Sequence, residues 1–155
     1  MPNAERADRA RSQQALEVRV AAQLENLAVV RTLIGAVGTF EDLDLDAVAD
    51  LRLAVDEACT RLIRSADSDA GASLILVIDP RVNEVVVEVA LASSPAATPV
   101  SPDEILSPGS FSWHVLTSLT DDVKTFRDGH DFDGPDWRGP VVGISMTTRR
   151  VSPAR

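Results

Sequence analysis

Tyrosine is absent, and aromatic residues make up only 4% of the 155 residues. The core must therefore be built mostly from Val, Leu, Ala and Ile. There is one cysteine, Cys59, so no intramolecular disulfide can form; placed on an apolar helical face, its thiol reads as buried and inert. No apolar run is long enough to cross a bilayer, and the opening MPNAERADRARSQQ lacks the apolar h-region of a secretory signal. Both point to a cytoplasmic protein without a membrane partner. There is no P-loop, no G-x-S-x-G and no Rossmann glycine pattern. His114 and His130 have no H-x-x-x-H-type spacing, so no zinc site is expected. The Asp128, Asp131, Asp133, Asp136 cluster lacks the spacing of an EF-hand loop and reads as a solvated turn, so no metal site is expected at all. Positive charge is also short. The net charge is −9, which repels phosphate backbones and argues against direct nucleic-acid binding. It suits basic protein partners, or simply solubility.

What is present fits one soluble domain: 45% hydrophobic residues and a length sufficient for a single core. The most informative stretch is Asp46 to Ala66, DAVADLRLAVDEACTRLIRSA. Val48, Leu51, Val55, Cys59, Leu62 and Ala66 recur at steps of three and four, the spacing of one helical face. A second stripe carries Asp50, Ala54, Glu57, Arg61 and Arg64. Glu57 precedes Arg61 by four residues, the better orientation for a helical ion pair. Asp44 or Asp46 is the expected N-cap.

Around this helix the chain reads in order. Residues 1–14 are expected to be a frayed tail. Residues 15–22, ALEVRVAA, alternate as a half-buried strand. Residues 24–37 have helical spacing at Leu24, Leu27, Ala28, Val30, Leu33, Ile34 and Val37, with Gly38 placed to end the helix. Residues 74–78 and 84–91 form a β-hairpin with its tip at 81–83. Residues 92–109 contain Pro95, Pro99, Pro102 and Pro108 and read as a long loop, which in a compact domain is usually functional or mobile. Residues 110–122 form a helix with Ser110 as N-cap and with Phe111, Val115, Leu116 and Leu119 on one face. Residues 123–127 and 141–148 are strands joined by an acidic, Gly- and Pro-rich connector, and RRVSPAR reads as a tail. Trp113 and Trp137 are either core residues or surface anchors. Several helices with a mostly antiparallel sheet predict a two-layer α/β sandwich: a mixed sheet covered on one face by helices, one domain over 15–150, and tails at 1–14 and 151–155.

The wording of the central helix adds a resemblance. LRLAVDEACTRLIRSA resembles the first nucleotide-site helix of the anti-sigma factor kinases of the RsbW and SpoIIAB type, in the GHKL (Bergerat-fold) ATPase superfamily, where it runs approximately LAVxEAxxNAIxHA. The likeness covers almost the whole chain: AAQLENLAVVRTLIGA, the hairpin, SWHVLTSLTDDV and the last strand also match. Phrases such as FEDLD, DAVADLRLAVDE and PGSFSWHVL are similar to actinobacterial members. The resemblance implies the Bergerat fold, with the lid over the ATP phosphates within residues 92–109. In that family the helix Glu activates the attacking hydroxyl or water, and the Asn four residues on holds the magnesium of ATP. Glu57 matches the Glu, as candidate catalytic base; Arg61 stands in place of the Asn, and Ser65 where a His is common.

The other family motifs are checked in the same way. The D-x-G-x-G after the return strand falls on Ala92, Ser94 and Ala96, with neither Asp nor Gly. The G-x-G turn, where free N–H groups of the last helix meet phosphate, falls on Ser110-Phe111-Ser112, preceded by Gly109. Mg²⁺ takes oxygen ligands, whereas Arg offers only donors, so Arg61 is expected to pair with Glu57 instead. Arg61, Ala92, Ser94, Ala96, Gly109, Ser110 and Ser112 are thus degenerate ATP-site positions. The expectation is no resident cofactor, with weak nucleotide binding through Arg61 or Arg64 and the helix end at Ser110 as the alternative.

The resemblance implies an anti-sigma factor that sequesters an alternative RNA polymerase sigma factor, is released by a STAS-type anti-anti-sigma partner, and works as a homodimer. The partner-facing positions of the first helix fall on Asn26, Val29, Val30 and Arg31. Arg31 interrupts the apolar stripe, as a partner contact or merely as a cap on the helix face. Two other readings stand: an active ATP-dependent serine-protein kinase with Glu57 as base, phosphorylating its antagonist, or a ligand-sensing domain with no sigma partner.

Overall fold

The computed structural model describes residue 12, residues 14–127 and residues 139–151. A five-stranded sheet runs in the order β1-β2-β3-β5-β4, with β1 Leu16–Ala21, β2 Ser73–Pro80, β3 Glu84–Ala92, β4 Asp122–Arg127 and β5 Val141–Arg149. Helices α1 (Leu27–Phe40) and α2 (Leu45–Ser65) join β1 to β2. A one-turn helix α3 (Pro102–Ile105) and helix α4 (Phe111–Leu119) lie between β3 and β4. Each neighbouring pair of strands is antiparallel. The expected two-layer architecture is therefore present, but the sheet is wholly antiparallel rather than mixed, because β5 enters between β3 and β4.

The helices cover one face. Leu27, Val30 and Ile34 of α1, Leu51, Val55, Cys59 and Leu62 of α2 and Leu116 of α4 share one apolar cluster with Leu76, Val87, Val89, Ile144 and Met146 of the sheet. The predicted apolar face of α2 is seated as read, and each buried Val, Leu or Ile side chain contributes about 1.5–3 kcal/mol. Ala54, placed by periodicity in the polar stripe, is fully buried. The opposite sheet face carries a smaller cluster, Ile75, Val77, Ala90 and Ala92, with Phe126 packed against it. Phe126 lies opposite Gly143 in the β4–β5 register, and a Cβ there would come within 2.2 Å of its ring.

Several boundaries differ from the sequence reading. α1 does not stop at Gly38 but runs on to Phe40. Gly38 is buried inside it because Val48 of α2 occupies the space, with a methyl 2.6 Å from where a Cβ would stand. The glycine serves close helix approach, not termination. Asp42, in the turn after α1, adopts φ 54, a left-handed conformation that Asp tolerates better than most residues. Asp44 occupies the N-cap position of α2, without a side-chain capping bond. The Pro-rich stretch includes α3, capped by the Ser101 hydroxyl, and buries Ile105 and Leu106 in the core, so its middle is anchored. In α4 the Ser110 cap is present, its Oγ accepting from the Trp113 N–H at 3.2 Å, but Phe111 points outward and is 82% exposed. Trp113 is half-buried against the core.

Two residues near the limits of the described chain, Ser12 and Arg150, are held by the domain. The Ser12 N–H and hydroxyl both donate to Asp79, a buried carboxylate at the end of β2. Arg149 belongs to β5, and Arg150 is buried: its guanidinium donates to the Glu41 carboxylate at 2.7 Å, the Glu41 carbonyl at 2.8 Å and the Arg81 carbonyl at 2.9 Å. The acidic connector's cluster, His130 and Trp137 lie outside the described residues. No helix among the described residues is long and apolar enough to cross a membrane.

Candidate functional site

The site is built where α2 meets the first turn of α4. Helical spacing puts Glu57 and Arg61 on the same side of α2, one turn apart. Their closest approach is 3.7 Å, and about a third to two-fifths of each side chain is exposed. The Ser110 cap fixes the start of α4, and its first turn delivers Ser112 between the two. Ser112 is 2% exposed. Its Oγ accepts from the Arg61 guanidinium at 2.7 Å and donates to the Glu57 carboxylate at 2.7 Å. A hydroxyl has one proton to give and lone pairs to receive, so Ser112 bridges acid and base more tightly than they meet directly. Bonds to ionised partners of this kind are the stronger class. The predicted Glu57–Arg61 pair is present, with a third member that spacing did not supply.

The remaining predicted positions fall elsewhere. Ala92 is fully buried at the end of β3, and Ala96 is exposed in the following loop. Ser94 is half-buried and turned onto Asp69, in the turn after α2: its N–H donates at 2.8 Å and its hydroxyl at 2.5 Å. The Ser94 hydroxyl, then its N–H, hold the Asp69 carboxyl below the usual carboxylate range. Gly109 carries φ +80, the left-handed conformation that suits glycine, just before the Ser110 cap. A cavity of about 160 Å³ opens beside Ser93, Ser101, Glu104 and Arg127, away from Glu57. Cys59 is buried, and burial, with the Asp56 charge second, pushes its thiol up to about 12. Its thiolate is therefore negligible at neutral pH.

On α1, Val30 is 2% exposed and belongs to the core, so it is not a surface contact as expected from its position. Asn26 turns back, its side-chain amide donating to the Ala21 carbonyl at 2.8 Å. Val29 is exposed. Arg31 is half-exposed and donates to Asp56 of α2 at 2.8 Å; that hydrogen bond, then the charge of Asp56, raises the Arg31 pKa. Sequence reasoning missed Asp56 and Asp69. Only a local part of Asp69 was readable: an Asp two residues before Gly71, whose N–H it accepts at 3.2 Å, is an Asx-type turn.

A two-layer sandwich with Glu57 on the helix beside the sheet agrees with the family comparison. Residues 20–131 match the histidine kinase-like ATPase domain. The chain belongs to that family. Among curated members, it is 58% identical over 147 residues to the anti-sigma-F factor RsbW of Mycobacterium tuberculosis, covering 95% of this chain and 80% of that one. It is 23% identical over 124 residues to the serine-protein kinase RsbW of Bacillus cereus, covering 73% of this chain and 78% of the relative, and equally to that of Bacillus anthracis. The family thus includes both a regulator named for a sigma factor and enzymes named as kinases. In this member the Glu57 site is filled by its own side chains.

Proposed function

We propose that this chain is an anti-sigma factor that works by docking, with a nucleotide site that has lost its chemistry. It sequesters an alternative RNA polymerase sigma factor, is displaced by a STAS-type anti-anti-sigma partner, and acts as a homodimer. The sigma partner follows from the name of the Mycobacterium tuberculosis relative and its 58% identity across the chain. The observation that carries the docking mechanism is the Arg61–Ser112–Glu57 bridge. A magnesium-bound triphosphate needs an oxygen ligand at position 61 and a Glu57 oxygen free to take a proton. A guanidinium stands in the first place, and it lies 3.7 Å from the same Glu57 oxygen, Oε1, that accepts from Ser112, drawing the carboxylate into the bridge. The end of β3 offers Ala92 where a carboxylate is needed to receive an adenine amino group. The residues present do not fit Mg-ATP.

Val29 and Arg31 are the surface contacts this reading assigns on α1. Arg31→Glu reverses charge where a partner would meet it, so affinity for the cognate sigma factor falls at least tenfold by calorimetry. The pair with Asp56 is exposed, so the fold is expected to be kept. The second reading is the serine-protein kinase, supported by the retained Glu57 and the names of the Bacillus relatives. Titration with Mg-ATP decides between them. The docking reading expects no micromolar binding and no phosphate transfer to the STAS partner; either result in the wild-type protein overturns it. A pull-down that recovers no sigma factor overturns the anti-sigma assignment itself.

A further inference from the structure

We propose that the chain ties residues 94–112 to α2 and the turn after it with its own side chains at two points, so that the segment is seated without help from a nucleotide. The inference rests on the docking reading above.

The two fasteners stand at the ends of one segment. At the far end, the Ser112 hydroxyl joins α4 to Glu57 and Arg61 of α2, more than fifty residues away in sequence. At the near end, Asp69 in the turn after α2 accepts both the N–H and the hydroxyl of Ser94. The space there is tight: a Cβ on Gly71 would lie 2.5 Å from the Ser94 hydroxyl. Between them the segment is nailed by Ile105 and Leu106, both at or below 2% exposure, and by the Ser101 cap of α3. A loop of this length is ordinarily a moving part. Here it has a polar tie at each end and an apolar anchor in the middle.

The two ties use the residues at the degenerate positions 94 and 112. Each is a serine that satisfies a carboxylate from the α2 side: Glu57 for Ser112, Asp69 for Ser94. A ligand entering between α2 and α4 must break the Ser112 bridge, and one that displaces the loop after β3 must break the Ser94–Asp69 bonds. The side chains thus take over the seating that a bound anion would otherwise have to provide.

Hydrogen–deuterium exchange of the full chain tests this, because local opening is read peptide by peptide. The wild-type protein is expected to protect residues 94–112 equally with and without millimolar Mg-ATP. Ser112→Ala removes both hydrogen bonds to charged groups and is expected to speed exchange at the first turn of α4 and across 101–110 by at least about tenfold. The β2–β3 hairpin should hold. Arg61→Ala alters an exposed side chain, keeps the fold, and is expected to loosen the same peptides. If neither variant loosens them while the wild type ignores Mg-ATP, the fasteners are refuted and the docking reading stands. If Mg-ATP slows exchange at 94–112 in the wild type, the docking reading itself fails.

Discussion

Asp69 is the residue whose charge state matters most to the segment it holds. Hydrogen bonds from Ser94 lower its pKa in the folded chain relative to the unfolded one. The stability it contributes is therefore present above the ordinary carboxylate value of about 3.9 and lost as pH falls through the lower folded value. Thermal unfolding of wild type and Asp69→Asn should accordingly differ at neutral pH and converge in acid below that range; a gap that widens in acid refutes the assignment. At this scale the sequence was readable only where partners are neighbours along the chain. Glu57 and Arg61 are four apart on one helix, so their pairing was legible. Ser112, Asp56 and Asp69 find partners 25 to 55 residues away, and only the tertiary fold brings those together.

At the scale of the element, the helix periodicity gave α1, α2 and α4 because an apolar stripe must face the sheet whatever the tertiary details. Glycine was the ambiguous sign. A glycine at the end of an apolar stripe fits a helix stop or a close crossing, and only the position of Val48 decides for the crossing. Gly38→Ala puts a methyl into that contact. The variant is expected to lose about 1–3 kcal/mol, read from its urea midpoint at unchanged slope, although alanine favours the helix by about 1 kcal/mol in isolation. An unchanged or raised midpoint would mean that Val48 yields and the crossing is not tight there. The strand pairing was the least legible feature: alternation marks a strand but not its neighbour, so β5 between β3 and β4 could not be read from the sequence alone.

At the scale of the whole molecule, the two-layer architecture followed from apolar content and the order of elements. The place of Arg150 did not, since a polar, Arg-rich stretch looks the same whether it is free or docked. Arg150 is docked, with 4% of its side chain exposed, against Glu41 after α1 and Arg81 at the hairpin. Arg150→Ala leaves a part-buried carboxylate without its cation, and the expected cost is about 2–3 kcal/mol, below the range for a fully buried pair, seen as a lowered melting temperature of the entire domain rather than a local loosening. A loss under about 1 kcal/mol would mean the contact is incidental. Ser12 grips the Pro80 carbonyl while Arg150 grips that of Arg81, so these two residues sit on consecutive positions of one hairpin. A linker of a few residues could sew these points into a closed ring, and the polypeptide could then be reopened at an exposed bend such as Val82 without disturbing the order in which the sheet is laced.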